Sequence, residues 1–140
     1  MKSKLFVKEY IAVLTGYFEK ECDIINLPIS RKENSIIERE VSSNGDFAIT
    51  NYKLIKNFEY KNEKLCLVNF KLETGRTHQI RVHSSYIGHP ILGDSLYGEQ
   101  SELINRQALH AYKVSFTHPI SKKVITLIAD IPKDILKLIN

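Results

Sequence analysis

The chain has 140 residues, of which 43% are hydrophobic and 26% charged, and 20 Lys and Arg against 16 Asp and Glu leave a formal net charge of +4. These values are typical of one soluble globular domain or part of a larger one, and the mildly basic balance permits a polyanionic partner without requiring it. The absence of an apolar run near about 18 residues argues against a transmembrane helix. The distant cysteines Cys22 and Cys66 argue against a disulfide scaffold and fit a reducing cytoplasm.

The first half of the chain is dominated by strand patterns, which are runs of β-branched and aromatic residues bounded by turn residues. The first predicted strand is Leu5–Leu14, which stops at Thr15-Gly16, and a short extended piece follows at Asp23–Ile29. Residues 30–46 are predicted as a polar connection with a turn at Asn44-Gly45-Asp46. Two further strands are predicted at Phe47–Phe58 and Leu65–Leu72, joined by the hairpin loop EYKNEK.

The hydrophobic period changes after Gly75. Ile80, His83, Ser84 and Ile87 fall at helical spacing, which predicts a helix with Thr77 as its N-cap and Gly88 as its C-terminal stop. The remaining predicted segments are strands at Leu109–Phe116 and Val124–Ile128 around a turn at His118–Ser121, and a closing helix at Pro132–Ile139. The sequence therefore predicts a single α+β unit over residues 1–140, with a mostly antiparallel sheet and a few flanking helices.

The segment Glu73–Tyr97 concentrates two arginines and three histidines in an otherwise Ile-, Leu- and Lys-rich chain. Arg76 is expected at a strand-to-helix corner beside a helix N-terminus, and Arg81 about one turn further on. Two guanidinium groups at such a corner suit a carboxylate or a phosphate. The alternative, equally weighted on spacing alone, is that one arginine binds a loop carbonyl and the other faces solvent.

Other polar residues have more modest interpretations. His78 and His83 are five residues apart and diverge on a helix, so no metal site is predicted; they are interpreted as packed framework groups, with RNA contact as the alternative. Asp94 follows Gly93 and is interpreted as a turn-stabilising cap in preference to a catalytic group. Tyr10 is either a half-buried strand residue or an aromatic platform for a base.

An ordered set of segments runs from one end of the chain to the other: KEYIAVLTG (8–16), INLPISR (25–31), NGDFAITNYKLI (44–55), LETGRTHQIRVH (72–83), GHPILGDSLYG (88–98), RQALHAYKVSFTHP (106–119) and IADIPKD (128–134). On these segments the chain resembles the C-terminal portion of the catalytic domain of RluA-type pseudouridine synthases. Asp46 stands where that family commonly has lysine.

The resemblance implies cofactor-free isomerisation of uridine to pseudouridine in RNA, with large-subunit ribosomal RNA as the expected partner. In such a site Arg81 pairs with a nucleophilic aspartate and Tyr10 stacks on the flipped uracil. The remaining implied substrate contacts are an apolar wall at Ile91 or Leu92 and an RNA-binding segment made of Arg76, Thr77, His78 and Gln79.

One departure from the family shapes the expectation for this chain. The family's nucleophile belongs to a His-Arg-Leu-Asp segment that precedes the Lys-x-Tyr strand, and that segment does not occur here. We therefore expect a fragment without the nucleophile or any S4-like domain, inactive alone, and self-associating through an exposed sheet edge.

Two alternatives remain open at this point. One is a non-catalytic RNA-binding module that uses the basic face. The other is a hydrolase with His78 or His83 as base, for which no G-x-S-x-G nucleophile elbow is present.

Overall fold

The computed structural model describes residues 6–140, and its central feature is a six-stranded antiparallel sheet. The strands are β1 (Phe6–Thr15), β2 (Cys22–Asn26), β3 (Ile29–Arg31), β4 (Arg39–Val41), β5 (Ile49–Tyr60), β6 (Glu63–Leu72), β7 (Leu109–Thr117) and β8 (Val124–Ile128). The strand order in the large sheet is β2-β5-β6-β1-β7-β8, and a separate two-stranded ribbon is formed by β3 and β4. The helices are α1 (Gln79–Tyr86) and α2 (Lys133–Ile139). The predicted α+β class with a mostly antiparallel sheet is confirmed.

Strand β1 lies in the interior of the sheet, between β6 and β7. Its segment Ile11–Leu14 is at most 4% exposed, which matches its unbroken apolar run, because a strand covered on both faces does not alternate with polar residues. The pairing of β1 with β7 shifts between Glu9 and Tyr10, where Tyr112 is the extra residue on β7. Such a bulge bends the strand locally and re-aims nearby side chains.

The hairpin between β5 and β6 is tighter than the sequence predicts. The two strands continue through Tyr60 and from Glu63, so the connection is only Lys61 and Asn62, with φ of 49° and 69°. Positive φ at both central residues gives the turn the twist that matches the strands. The predicted six-residue loop is wrong because Lys61 adopts a backbone conformation more typical of Gly or Asn.

The β3–β4 ribbon lies within the segment that the sequence analysis treats as a polar connection. Its apolar anchors, Ile29 and Val41, pack with Ala48 and Val82 in a small second core against α1. The turn predicted at Asn44-Gly45-Asp46 is present, since the Gly45 N–H donates to the Ser42 carbonyl. The ribbon therefore attaches to the helix that carries Arg81.

Helix α1 begins one residue later than predicted. The N-cap is His78, with φ of 56° and no side-chain cap, so the prediction of Thr77 as N-cap is wrong. The physical reason is Gln79, whose side-chain Oε1 accepts the Arg76 N–H at 2.9 Å and thereby satisfies a donor of the turn that leads into the helix. At the other end Gly88, with φ of 94°, ends the helix as predicted.

The closing helix α2 is present as predicted, with Pro132 at its N-cap. Ile135 and Leu138 are fully buried in the main core. Asp134 accepts two hydrogen bonds from Arg106, at 2.9 and 3.0 Å, and so links this helix to the segment before β7.

Candidate active site

A cleft of about 380 Å³ lies where β1, the end of β6, the start of α1 and the start of β7 meet. The residues that line it are Tyr10, Leu72, Arg76, His78, Gln79, Ile80, Arg81, Gln107 and Leu109. Five of these are residues that the sequence analysis associates with the site, although they come from segments almost 70 residues apart. Thr77 is exposed in the same turn and is not part of the lining.

Arg81 forms a bidentate ion pair with Asp94. Its Nε donates to Oδ2 at 2.9 Å and its Nη2 donates to Oδ1 at 2.8 Å. The Asp94 side chain is 0% exposed and that of Arg81 is 15% exposed. The hydrogen bond to Asp94 is the main cause that raises the pKa of Arg81 above its ordinary value, and the guanidinium stays charged.

Asp94 also has the turn-stabilising role that the sequence predicts. Its Oδ1 accepts the backbone N–H groups of Leu96 at 3.2 Å and Tyr97 at 3.3 Å. The ion pair with Arg81 is what sequence reasoning missed, because the path of an irregular loop cannot be read from local pattern. The available signal was Asp94 itself, since an aspartate that follows the apolar Ile91-Leu92-Gly93 segment is buried only when it is paired.

His78 and Tyr97 form a second polar group beside Arg81. The Tyr97 Oη lies 2.7 Å from His78 Nδ1 and accepts the Arg39 backbone N–H at 2.9 Å. Burial, with the charges of Arg81 and Arg39, lowers the pKa of His78, so the ring is neutral near pH 7. We assign the Tyr97 hydroxyl as donor to Nδ1, which places the imidazole proton on Nε2.

His83 and Gln79 belong to the framework. His83 is 0% exposed, with Nδ1 2.8 Å from Thr50 Oγ1 and Nε2 2.8 Å from the Leu27 carbonyl. The Gln79 amide donates to Ile49 O and Thr50 Oγ1, and its Oε1 also accepts from Thr74. The framework interpretation of His83 is confirmed, and Gln79 uses its side-chain donors and acceptor inside the protein.

Arg76 and Arg81 differ in their surroundings. Arg76 is exposed, and its Nε donates to the Phe47 carbonyl at 2.7 Å, which is the loop-carbonyl contact considered above. Among residues 6–140, these two arginines are the only formally charged groups that line the cleft, and no carboxylate does. The cleft therefore offers positive charge to an anionic group, which can be a phosphate of a nucleic acid or a carboxylate.

Tyr10 is half-buried and lines both the cleft and an adjoining depression of about 400 Å³. Ile91 and Leu92 are not brought to the cleft. They are 1% and 2% exposed and belong to the main core, because the Leu92 N–H binds the Val13 carbonyl and fixes this loop beside β1. Through these contacts Ile91 and Leu92 fix the loop that carries Asp94.

A larger depression of about 800 Å³ lies at the C-terminal end of α1. Aromatic rings line part of it, and Phe18 packs on Tyr52 and His89 with centroid distances of 5.0 and 4.4 Å. Its charged residues include Lys20 and Asp23, which pair with each other at 2.9 Å. Neither Arg76 nor Arg81 lines it, so the smaller cleft is the better candidate site. Neither helix in the described chain is long and apolar enough to cross a membrane.

Comparison with known proteins gives consistent matches. A family model described as RNA pseudouridylate synthase matches residues 1–86. The uncharacterized RNA pseudouridine synthases YhcT and YjbO of Bacillus subtilis are 44% and 42% identical over 99% of this chain. The ribosomal large subunit pseudouridine synthase D of Buchnera aphidicola is 37% identical over 96% of it.

Two solved human structures share the fold. RNA pseudouridylate synthase domain containing 1 has a TM-score of 0.79 at 27% identity over 92% of this chain. RNA pseudouridylate synthase domain containing 4 has a TM-score of 0.71 at 20% identity, which supports the fold alone. The chain spans about half the length of the relatives it matches, at 45%, 48% and 46% of the three bacterial proteins.

Proposed function

Because this chain belongs to the RNA pseudouridine synthase family, we propose that it forms the C-terminal part of a catalytic domain that isomerises uridine to pseudouridine in RNA. The observation that carries the proposal is the cleft, in which Tyr10, Arg76 and Arg81 converge. A cationic cleft with an aromatic ring, to which residues 6–140 contribute no carboxylate, suits a flipped base whose attacking group comes from another segment.

In this proposal the nucleophilic aspartate is supplied from upstream of this chain. Arg81 keeps that carboxylate ionised and oriented, because an adjacent guanidinium favours the charged form. The carboxylate bonds to C1′ of the sugar as the glycosidic bond to N1 breaks, the uracil turns, and its carbon 5 bonds to C1′ as the carboxylate is released. Carbon 5 loses its proton and N1 gains one, so the reaction is an isomerisation. The resemblance to the family supports this sequence of steps, which needs no cofactor.

Tyr10 and Arg76 contact the substrate. Tyr10 lies on the interior strand β1, where a fixed backbone presents its ring to the cleft as a stacking surface for the uracil. Arg76 is exposed at the rim and meets RNA phosphates, which positions the strand without reading its sequence. Thr77 and His78 lie in the same turn and contact the neighbouring nucleotides.

We take large-subunit ribosomal RNA as the substrate class and the cytoplasm as the location. The support for the first is the similarity to ribosomal large subunit pseudouridine synthase D proteins. The support for the second is the pair of free thiols, Cys22 and Cys66, which suits a reducing compartment.

Assays of pseudouridine formation on ribosomal RNA test the proposal. The 140-residue chain alone is expected to be inactive, whereas the chain joined to the upstream half of YhcT is expected to form pseudouridine. The matched control is the same joined protein with its nucleophilic aspartate, which the family resemblance places in a His-Arg-Leu-Asp segment, changed to asparagine; it is expected to bind RNA without turnover. Pseudouridine formed by the chain alone, or by the control, contradicts the proposal.

A non-catalytic RNA-binding module remains the second candidate, because no carboxylate of the described chain reaches the cleft. It predicts salt-dependent RNA binding by the chain alone and no turnover by the joined protein. The joined protein therefore separates the two functions.

A further inference from the structure

Asp94 lies behind Arg81, on the side of the guanidinium that is turned away from solvent. We propose that Asp94 is a positioning residue, which fixes the Arg81 guanidinium so that its remaining edge faces the cleft. The inference rests on the proposed function, since it assigns a task to a residue that does not itself touch the reacting atoms.

The hydrogen bonds define which edge is used. An arginine has five N–H donors in one plane, and here Asp94 takes one from Nε and one from Nη2. Within residues 6–140, the hydrogen bonds of the Arg81 side chain come from Nε and Nη2, and Nη1 has no partner, although Arg81 lines the cleft. A second carboxylate that enters the cleft can therefore bind the free edge without displacing the first.

The face of the guanidinium is fixed as well as its edge. The Tyr97 ring centroid lies 5.1 Å from Cζ of Arg81, a cation–π contact. The hydroxyl of the same tyrosine binds His78 and the Arg39 backbone, which keeps the ring from turning away. Edge and face contacts together leave Arg81 little rotational freedom.

Asp94 is unsuited to be the nucleophile. Its side chain is 0% exposed, and its two oxygens already accept four hydrogen bonds, two from Arg81 and two from backbone N–H groups. Three of these bonds go to Oδ1 and one to Oδ2, and a carboxylate that is fully buried against its own partners is not accessible to a substrate. Its chemistry is that of an orienting group.

The loop that carries Asp94 is fixed to the strand that carries Tyr10. The Leu92 N–H donates to the Val13 carbonyl of β1, and the Leu92 carbonyl accepts the Ala108 N–H, each at 2.9 Å. One strand therefore sets the position of the stacking ring and, through this loop, the position of the arginine. Such shared support keeps the distance between the two groups constant, which matters because misplacement by about 1 Å can cost about 100-fold in rate.

The first test uses this chain alone and follows the side-chain Nε–H signals of its arginines by NMR. The Arg81 Nε–H is expected to exchange with water much more slowly than that of the exposed Arg31, and Asp94→Asn is expected to abolish the difference. Asparagine keeps an oxygen that can accept the Leu96 and Tyr97 N–H groups, so the turn is retained while the carboxylate is lost. Asp94→Ser is a second variant of the same kind, with a hydroxyl as the acceptor on a shorter side chain.

The matched control is Asp134→Asn, which removes an equally bidentate partner from a different arginine, Arg106. It is expected to leave the Arg81 signal unchanged. Fast exchange of the Arg81 Nε–H in the unmodified chain, or protection that survives in a folded Asp94 variant, overturns the proposal. The first of these outcomes does not depend on whether any variant folds.

The second test uses the chain joined to the upstream half of YhcT. Asp94→Asn is expected to lower the single-turnover rate at saturating RNA about 100-fold while RNA affinity stays unchanged, because affinity is spread over many cationic contacts. Asp23→Asn, which removes the carboxylate partner of Lys20 outside the cleft, is expected to change neither quantity. An unchanged rate, or losses in rate and RNA affinity of equal size, overturns the positioning role.

The two tests keep the two proposals apart. An inactive joined protein with unmodified Asp94 contradicts the proposed function, whereas the exchange measurement on the 140-residue chain still decides whether Asp94 holds Arg81.

Discussion

At the scale of single residues, the buried Arg81–Asp94 pair is the most sensitive part of the cleft. Arg81→Ala leaves Asp94 as an unpaired buried carboxylate, and breaking such a pair from one side costs about 3–5 kcal/mol. We expect a loss of that size in the free energy of unfolding of the 140-residue chain, measured by urea denaturation. Arg76→Ala, at an exposed position, is expected to change it by less than about 0.5 kcal/mol.

The same two variants separate catalysis from RNA binding in the joined protein. Arg81→Ala is expected to nearly abolish single-turnover activity with RNA binding largely intact, since the nucleophile loses its charge partner. Arg76→Ala is expected to weaken RNA binding and to reduce the slope of log affinity against log salt by about 1, with bound RNA still converted. A near-normal single-turnover rate for Arg81→Ala contradicts the assignment and makes Arg76 the next candidate.

His83 is expected to make stability depend on pH. Burial lowers the pKa of His83 below its ordinary value of 6.5, and His78 is shifted in the same direction. As pH falls through the ordinary histidine range, the unfolded chain takes up protons that the folded chain resists, so stability is present above that range and is lost below it.

The urea concentration at the midpoint of unfolding is therefore expected to decrease as the pH is lowered from about 7 to about 5. The decrease is expected to be smaller in His83→Gln than in the unmodified chain. Glutamine has an amide that can still donate to the Leu27 carbonyl but does not titrate there. His118→Gln, in the β7–β8 turn, is the control and is expected to keep the full pH dependence. Identical pH dependence in His83→Gln and the unmodified chain rules this role out.

The positions of single site residues could be predicted from the sequence where they depend on local pattern. The corner between a strand and a helix places Arg76 and Arg81 near one another. Tyr10, which the family resemblance assigns to the same site, lies on a strand over 60 residues away and lines the same cleft. The pairing of Arg81 with Asp94 depends on the path of the loop after α1, which is determined by long-range contacts such as Leu92 with Val13. Local propensities do not encode such contacts.

At the scale of elements, the loop between α1 and β7 depends on Gly93. Its φ is 80°, and a Cβ there would collide with the Arg106 carbonyl oxygen. Gly93→Ala is therefore expected to destabilise the chain by more than about 2 kcal/mol, since backbone strain alone costs roughly 1–3 kcal/mol. Gly75→Ala is the control, because a Cβ at Gly75 meets no atom within 4 Å. Thermal unfolding of both variants measures the difference, and equal losses contradict the assignment.

Element boundaries show where sequence patterns end and tertiary contacts begin. Strand β8 has the bounds that the apolar run predicts, and α2 begins directly after Pro132, which is its N-cap. The β3–β4 ribbon was missed because each of its strands has only three residues and gains its stability from α1. The N-cap of α1 was misplaced because a buried glutamine from within the helix satisfies the donors of the preceding turn.

At the scale of the whole molecule, the sheet has two edges, β2 and β8. Strand β8 is apolar on both faces, and Val124, Leu127 and Ile128 are 70%, 57% and 71% exposed. The depression that Leu127 and Ile128 line also includes Tyr10, so this apolar edge adjoins the cleft. An open edge with exposed apolar side chains readily pairs with another strand.

We therefore expect the isolated chain to self-associate through β8, in a concentration-dependent way, because edge pairing satisfies backbone donors while it buries the apolar side chains. Light scattering over a dilution series measures the apparent mass. Ile128→Lys introduces a charge on the edge strand and is expected to shift the chain toward monomer. Ile36→Lys, at a residue that is 85% exposed on the β3–β4 ribbon, is the matched control and is expected to leave association unchanged. A dilution-independent monomer for the unmodified chain, or equal dissociation by both variants, rules out β8 as the associating surface.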